Sequence, residues 1–366
     1  MSLTDGTAEI ATQRLNVVES MAFASRHAGK SYASMVKEIF SLGRGFGKLS
    51  AEDYFYYQLY DDKRYDLAEK QRFLSERRYT YIVNRCNDVK WWAMVDDKLI
   101  ANLILKGYPL PDLEAVFSPR PRNGGVSVLQ SAKEIEHFLM NGARYPLFAK
   151  PIYGVQSRGT WSIDAADKPA CMVITHDGPK PVAEFAAMIA ESPGDGYLFQ
   201  RRLDLHPDLA AICGNNLSTI RLVLIQPDKA PEITHALWKI RTSDNVADNF
   251  WRPGNMVAHL DIDSGRILRV VQGAGPSQVE LENHPETGKR LLDAVMPDWE
   301  KTKALALECS QIFPKLRYLS WDIAPTPAGP IIVEVNPGAA FTLPQLAEGK
   351  GILNDKFRDF LRYCKA

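Results

Sequence analysis

The sequence lacks several features that would assign a protein to a broad class at once. Its five cysteines are scattered and include no CxxC pair, which argues against a disulfide framework or a zinc site and favours a reducing compartment. No apolar run approaches the roughly 18 residues of a membrane-spanning helix, and Met1 to Ile10 contain no signal-peptide core. Lys plus Arg and Asp plus Glu both number 44, so net charge does not indicate nucleic acid or an anionic membrane as partner. We expect a cytoplasmic protein with no integral membrane segment and no nucleic-acid partner.

What is present is an ordinary globular composition over a long chain. The 366 residues are 45% apolar and 24% charged, enough for two or three domains around a large core. Apolar spacing predicts helices up to residue 92, and beyond that point strands follow one another in pairs with few crossover helices. Later helices are predicted over residues 287–296 and 298–313, and strands over 318–324 and 331–335. Strand pairs of this kind are typical of the α+β fold class.

The strongest single pattern is a predicted hairpin near the C-terminus. Residues 325–330 form a turn-rich break between two apolar runs, and folding the chain about Ala328 places Asp322 opposite Glu334. Strand alternation then puts Asn336 on the face of Glu334, with Val333 and Val335 on the other face. Two carboxylates and an amide oxygen suit Mg²⁺. A solvated hairpin whose polar side chains simply face water remains the alternative.

A second pattern lies about 170 residues earlier. Lys150 ends a predicted strand, and the loop that follows contains Gly154, Ser157 and Gly159. A lysine at a strand end followed by small residues suits phosphate, because the ammonium group and backbone N–H groups can close over it. Taken alone, a structural lysine explains the pattern equally well.

Together the two patterns resemble the ATP-grasp superfamily. The segments 200–209, 216–221, 238–241 and 248–250 follow in an order that resembles its sugar-transfer-associated branch. The resemblance covers most of the chain and implies nucleotide sandwiched between two α+β subdomains behind a helical N-terminal region. The implied boundaries are 1–92 for the helical region, 93–145 for a linking subdomain, 146–203 for the lid subdomain and 204–366 for the C-terminal subdomain with the metal site.

The resemblance also implies roles for individual residues. Lys98 and Lys150 would be the two nucleotide lysines, Gln200, Arg201 and Leu203 the hinge that contacts adenine, and Asp208 the acid that binds ribose hydroxyls. Ser157 and Gly159 belong to the lid loop, Lys239 contacts triphosphate, and Arg221 lies near the transferred phosphoryl group. Arg241 does similar work or holds the acceptor's carboxylate. Asp322, Glu334 and Asn336 would be the metal ligands. Lys106 competes with Lys98, and Asp208 also suits a simple helix-capping role.

The activity implied by this resemblance is a Mg²⁺·ATP-dependent ligase that joins a carboxylate to an amine, or alternatively to a thiol, through an acyl phosphate. Cell-surface sugar, polysaccharide or secondary-metabolite biosynthesis would be its setting. A phosphotransferase and a non-catalytic nucleotide-binding module remain as alternatives. The substrates would be small molecules, and the oligomeric state stays open, with a homodimer among the options.

Overall fold

The computed structural model describes residues 15–123, 125–154, 158–192, 195–242, 245 and 247–364. Within these ranges the chain first forms a helical region. Its helices are α1 (Val17–Ala28), α2 (Tyr32–Arg44), α3 (Ala51–Tyr56), α4 (Leu67–Lys70), α5 (Tyr79–Cys86), α6 (Ala93–Asp96) and α7 (Lys98–Ile104). Side chains of Asn16, Ser31 and Ser50 cap the first three helices, which satisfies N–H groups that have no partner within the helix. In the described ranges, each helix falls short of the length and apolar character needed to cross a lipid bilayer.

The first sheet follows the helical region. Its strands are β1 (Leu113–Phe117), β2 (Ser127–Leu129), β3 (Leu147–Pro151), β4 (Trp161–Asp167), β5 (Met172–Thr175), β6 (Gly178–Pro181) and β7 (Tyr197–Arg201). They lie in the order β2-β1-β7-β3-β4-β5-β6, parallel between β1 and β2 and antiparallel between the other neighbours. Helices α8 (Ala132–His137) and α9 (Val182–Glu191) cover one face of this sheet through a shared apolar cluster. On the opposite face, Val116 and Leu198 pack against Leu99 of α7, and the remainder of that face is free to line a site.

The second sheet is antiparallel throughout. Its strands are β8 (Ile220–Ile225), β9 (Glu232–Ile240), β10 (Met256–Leu260), β11 (Ile267–Gln272), β12 (Val279–Glu280), β13 (Tyr318–Thr326) and β14 (Gly329–Asn336), in the order β12-β11-β10-β9-β8-β13-β14. The accompanying helices are α10 (Pro207–Cys213), α11 (Trp299–Ser310), α12 (Thr342–Glu348) and α13 (Asp355–Tyr363). The two sheets with helices packed beside them confirm the α+β class.

Both faces of the second sheet are packed, but against different partners. Trp238 and Trp321 lie in the cluster that includes α11, whereas Leu237 and Val257 lie in the cluster that includes α3 and α12. This distribution follows strand alternation, because neighbouring residues of a strand point to opposite faces. The helical N-terminal region thus covers part of the second sheet rather than forming a separate core.

Helix α12 joins the N-terminal region to the end of the hairpin. The Gln345 side chain accepts a hydrogen bond from the Leu74 N–H at 2.7 Å and donates one to the Leu74 carbonyl at 2.9 Å. The Glu76 carboxylate accepts from the N–H of Thr342 at 2.8 Å and from its hydroxyl at 2.7 Å. Burial raises the pKa of Glu76 to about 6, although the Thr342 donors oppose this. These contacts hold α12 against segments about 270 residues away in sequence.

One helix prediction is wrong. Residues 287–296 form turns and isolated bridges, in which Asn283 pairs with Arg290 and Arg266 pairs with Val295. Gly288 and Asp293 both have positive φ, at 69° and 68°, a conformation that interrupts a right-handed helix. The helix predicted over 298–313 is present as α11. The predicted subdomain boundaries remain predictions, with β1 and β2 of the first sheet falling inside the predicted linking segment.

Candidate active site between the two sheets

A cavity of about 400 Å³ lies between the free face of the first sheet and the second sheet. The first sheet lines it with Phe148, Lys150, Ser162 and Gln200, and the second with Lys239, Asp322, Val333 and Glu334. The full lining contains seven Lys or Arg side chains and five Asp or Glu side chains. A cavity with so many ionised groups and a small excess of cations suits a polyanion bound together with a cation.

Lys150 approaches the second sheet from strand β3. Its ammonium group is buried and donates a hydrogen bond to the Val333 carbonyl at 3.2 Å. Among the described residues, no carboxylate oxygen lies within 4.0 Å of it. Burial lowers the pKa of Lys150 to about 8, although Glu334 and Asp322 oppose this shift. The group is therefore a desolvated cation whose charge is only partly compensated.

Asp322 is a buried carboxylate of the cavity with two cationic partners. Arg221 donates to its two oxygens at 2.8 and 2.7 Å, and Lys239 lies 3.3 Å from Oδ2. Burial alone would raise the pKa of Asp322, but these two cations outweigh it and hold the pKa well below its usual range. Arg221 is not among the cavity-lining residues. It supports Asp322 from behind, whereas Lys239 lines the cavity itself.

The hairpin pairs Asp322 with Glu334, as the sequence predicted, but by a different route. The turn pairs Thr326 with Gly329 and the ladder continues to Ile323 opposite Ile332, so Val333 is an extra residue that shifts the register by one. This is a β-bulge. As a result Val333 and Glu334 both line the cavity, whereas Ile332 and Val335 lie in the core. The prediction that Val333 shares a face with Val335 is therefore wrong.

Glu334 and Lys98 meet at the edge of the second sheet. Lys98 Nζ lies 3.2 Å from Glu334 Oε1 and donates to the Gly154 carbonyl at 2.9 Å. Lys98 opens α7, where Asp97 provides the cap. Lys98 lines the cavity and Lys106 is not among the lining residues. This geometry favours Lys98 over Lys106 as the first lysine of the site.

Asp322 and Glu334 both line the cavity and are the carboxylates that could hold the expected magnesium ion. In the described ranges, no cluster of three or more Asp, Glu, His or Cys side chains could hold a metal; the predicted ligand set contains two carboxylates and one amide. Asn336 pairs with Ser320 two residues beyond Glu334, is not among the lining residues, and has a buried amide nitrogen without a partner in the described structure. The Asp322 oxygens accept from Arg221 yet keep lone pairs for a cation. Such a short ligand set suits Mg²⁺, which keeps water and phosphate oxygens.

A loop after β9 adds an acid that the sequence did not identify. Asp248 accepts hydrogen bonds from the Thr219 N–H at 2.8 Å and from Lys239 at 3.3 Å. The buried Asn255 side chain orders this loop by accepting from the Thr242 N–H at 3.0 Å and donating to the Ala247 carbonyl at 3.0 Å. Lys239 thus lies between Asp248 and Asp322. The segment 248–250 is part of the family pattern named from the sequence, but the pattern gave Asp248 no role, and its contact with Lys239 appears only in the structure.

The expected hinge follows β7. Gln200 is buried and lines the cavity together with Arg201 and Leu203. The Arg201 guanidinium also donates to the Arg144 carbonyl at 2.7 Å. Arg202, which sequence reasoning did not select, lines the cavity and donates to Ser162 at 2.7 Å. The hinge is therefore tied to the first sheet on both sides.

Of the remaining predicted residues, some line the cavity and others do not. Arg241 lines the cavity and donates to Asn216 Oδ1 at 2.5 Å. Asp208 lies in the first turn of α10 with its side chain 80% exposed and is not a lining residue, whereas Asp204 is. Gly159 lies beside the cavity wall with φ of 71°, and its carbonyl accepts from the Tyr197 hydroxyl at 2.9 Å. Ser157 lies outside the described residues.

Comparison with solved structures gives distant similarity to several ligases and synthetases. The D-alanine-D-alanine ligase from Coxiella burnetii is 12% identical, with 76% of this chain and 59% of that chain covered and a TM-score of 0.42. The N5-carboxyaminoimidazole synthetase from Staphylococcus aureus is 8% identical (74% and 52% covered, TM-score 0.39). The L-amino acid ligase from Bacillus licheniformis is 10% identical (74% and 48% covered, TM-score 0.39). The chain spans about half the length of these proteins.

No curated protein matches the sequence. The family model described as sugar-transfer associated ATP-grasp matches residues 76–358, which is more than half of the chain and includes both sheets. This match confirms the resemblance inferred from the two sequence patterns. The chain therefore belongs to the sugar-transfer-associated ATP-grasp family.

Proposed function

We propose that the protein is a Mg²⁺·ATP-dependent ligase that activates a carboxylate as an acyl phosphate and transfers it to an amine. The observation that supports this most directly is the cavity in which Lys98 of α7 and Lys150 of the first sheet face carboxylates of the second sheet. Lys98 and Lys150 lie on one side, and Lys239, Asp322 and Glu334 on the other. Cations and oxygen ligands placed opposite one another suit a metal-bound triphosphate better than a neutral ligand.

The nucleotide base would lie at the hinge end of the cavity. Phe148 and Val333 provide apolar surface there, and the backbone of residues 200–203 ends strand β7 beside them. We assign the ribose hydroxyls to Asp204 rather than Asp208, because Asp204 lines the cavity and the Asp208 side chain is exposed. The β-bulge supports this arrangement, since it places an apolar and an acidic side chain next to each other in one cavity.

The phosphates would lie between Lys98, Lys150 and Lys239. Asp322, Glu334 and Asn336 would hold Mg²⁺, which when bound neutralises phosphate charge and polarises the transferred phosphoryl group. Arg221 keeps Asp322 ionised and fixed in orientation through two hydrogen bonds. Asp248 keeps Lys239 directed at the cavity. Charge that develops in the transition state would thus meet groups already in place, which is the main source of catalysis in phosphoryl transfer.

The proposed reaction replaces a poor leaving group, the carboxylate oxygen, by a good one, phosphate. A carboxylate oxygen of the acceptor attacks the γ-phosphorus of ATP, the bond to the β-phosphate oxygen breaks, and ADP leaves. The amine nitrogen then attacks the acyl carbon, phosphate leaves, and the nitrogen releases its proton. Arg241 would hold a second carboxylate of the acceptor, since a guanidinium can bind a carboxylate through two hydrogen bonds. The product would be an amide, on a sugar or an amino acid by analogy with the family name. A cytoplasmic location stays a prediction from the sequence, and the oligomeric state stays open, with a homodimer among the options.

The test is release of ADP and phosphate from Mg²⁺·ATP with a pooled carboxylate library, with and without an amine pool. The matched control is Glu334→Gln, which keeps the shape of the side chain and removes its charge. We expect turnover that needs both pools and falls by about 10²–10³ in the control. ATP affinity is measured separately by calorimetry, so that a missing substrate is distinguished from a missing site.

Other outcomes favour other functions. Turnover with a stable phosphorylated product and no amine requirement identifies a phosphotransferase. ATP binding without turnover in any pool favours a nucleotide-binding module. Normal turnover in Glu334→Gln contradicts the assignment of the metal site.

A further inference from the structure

Helix α2 carries one broad apolar arc, of which packing covers only a part. Met35 and Leu42 are buried in the cluster shared with α1 and α3. Tyr32, Val36 and Phe40 follow one another at a spacing of four, so they share a second part of this arc, where they are 54%, 54% and 61% exposed. Met35 and Leu42 lie at one edge of this arc, and Tyr32, Val36 and Phe40 continue it to the other edge. In the described structure, packing covers the first edge and leaves the second exposed.

Two further exposed rings lie just after the end of α2 and in α5. Phe46 and Tyr81 are 40% and 46% exposed, and their ring centroids lie 6.5 Å apart. The Arg78 guanidinium lies 4.6 Å and 4.5 Å from the two ring centroids and donates to the Phe46 carbonyl at 2.7 Å. The resulting surface is called the aromatic patch below. It consists of Tyr32, Val36, Phe40, Phe46 and Tyr81.

The aromatic patch lies among cations. The two segments that form it, 31–48 and 77–85, contain six Lys or Arg residues and one acid. The cations are Lys37, Arg44, Lys48, Arg77, Arg78 and Arg85. The acid, Glu38, accepts hydrogen bonds from Lys30, Lys70 and Tyr54 and is therefore neutralised within the protein. The zero net charge of the whole chain conceals this local excess, which is complementary to an anionic surface.

We propose that the aromatic patch docks the protein on the surface of an anionic lipid bilayer. Phe and Val side chains on one helix face, flanked by Lys and Arg, are typical of helices that lie in the interface of a membrane without crossing it. The apolar side chains would enter the acyl boundary, and the cations would remain at the level of the lipid phosphates. This inference does not depend on the proposed reaction.

Two other occupants fit the patch less well. A second copy of the chain would bring the same cations face to face, which opposes association. Nucleic acid would stack its bases on exposed ring faces, but guanidinium groups already cover these rings. The Arg44 guanidinium lies 3.5 Å from the Phe40 ring centroid, and Arg78 covers Phe46 and Tyr81.

The experiment uses the full chain and flotation with two kinds of vesicle, phosphatidylcholine alone and phosphatidylcholine with about one third phosphatidylglycerol. We expect binding to the anionic vesicles only. Each cation near the surface contributes roughly a fivefold increase in partitioning, so the exposed Lys37, Arg44 and Lys48 together predict about a hundredfold preference. Phe40→Ser is expected to lower partitioning about tenfold, and Lys37→Glu to lower it only for anionic vesicles.

The matched control is Val295→Ser, which removes an apolar side chain of similar exposure (55%) from a different part of the chain. It should bind vesicles as the wild type does, and unchanged melting temperatures will show that all variants are folded. Absence of vesicle binding overturns the proposal, as does equal binding by Phe40→Ser. A dimer lost in Phe40→Ser, or single-stranded RNA binding lost in that variant without vesicle binding, would assign the patch to another partner and also overturn it.

Discussion

Replacing Lys150 by methionine should stabilise the protein while removing its affinity for ATP. The substitution keeps the length of the side chain and removes a buried charge. That charge has one hydrogen bond, to the Val333 carbonyl, and no carboxylate within 4.0 Å among the described residues. In the ligand-free protein the ammonium group is thus held where only phosphate would compensate it fully.

The magnitude follows from the pKa. Burial lowers the pKa of Lys150 from 10.5 to about 8. Since one unit corresponds to about 1.4 kcal/mol, keeping the group charged in the folded protein at pH 7 costs about 3 kcal/mol. Loss of the hydrogen bond to Val333 offsets about 1–2 kcal/mol of the gain. Lys150→Met should therefore raise the free energy of unfolding by about 1–2 kcal/mol at pH 7.

The most specific test is the pH dependence of the stability difference between the variant and the wild type. Between pH 8 and 10.5 the unfolded chain holds a proton on Lys150 that the folded chain has lost, so wild-type stability rises with pH in this window. The variant lacks this group, and its advantage should shrink above pH 8 and then reverse. Urea unfolding followed by circular dichroism, at about pH 7 and about pH 9.5, measures the difference in free energy of unfolding between the variant and the wild type. The other titratable groups are the same in both proteins, so their contributions cancel in this difference.

Lys239→Met is the matched control, because Lys239 has carboxylate partners, which Lys150 lacks. Its ammonium group lies 3.3 Å from both Asp322 and Asp248. Removing it leaves two carboxylates with less compensation and should lower the free energy of unfolding by about 1–3 kcal/mol. Both variants should lose ATP binding. If Lys150→Met is destabilised at pH 7 and its difference from the wild type does not change with pH, the reasoning from buried charge is refuted.

Three further predictions follow from the same network. Calorimetry should show ATP affinity constant below about pH 7 and falling above pH 8 by up to tenfold per unit, because phosphate binds the protonated Lys150; a flat profile would contradict this. Arg221→Met should lower the free energy of unfolding by about 3 kcal/mol because buried Asp322 loses its main partner. As the pH falls below 3.8, the Asp322 carboxyl of the unfolded chain becomes protonated, so the denaturation midpoints of the variant and the wild type should converge. Asn255→Ala should weaken ATP binding through the loop of Asp248 while urea unfolding changes by about 1–3 kcal/mol; unchanged binding would separate the loop from the site.

The hairpin shows which features the sequence could predict and which it could not. The turn-rich break and the flanking apolar runs predicted the pairing of Asp322 with Glu334, and the register confirms it. Strand alternation alone then placed Val333 in the core, which the bulge reverses. A bulge depends on which register the rest of the sheet accepts, and local sequence does not contain that information.

Long-range contacts account for the other differences. Asp204 and Asp208 are both acids next to α10, and only the closing of the two sheets decides which one meets the cavity. The role of Arg221 near the transferred phosphoryl group stays a prediction, and the sequence did not indicate that its neighbour across the strands is Asp322. The family pattern indicated which strands and loops carry the candidate residues. The direction of each side chain depends on tertiary packing, which the pattern does not contain.

Helix α12 has a consequence for how the chain is made. It follows the hairpin that carries Glu334 and Asn336, and it contacts Tyr57, Leu74 and Glu76 across about 270 to 285 residues. A ribosome therefore releases the N-terminal helices long before the helix that completes their packing exists. Contacts of such sequence separation form slowly and leave apolar surface exposed meanwhile. The aromatic side chains of α3 must wait until residues 342–348 have been made before their packing is complete.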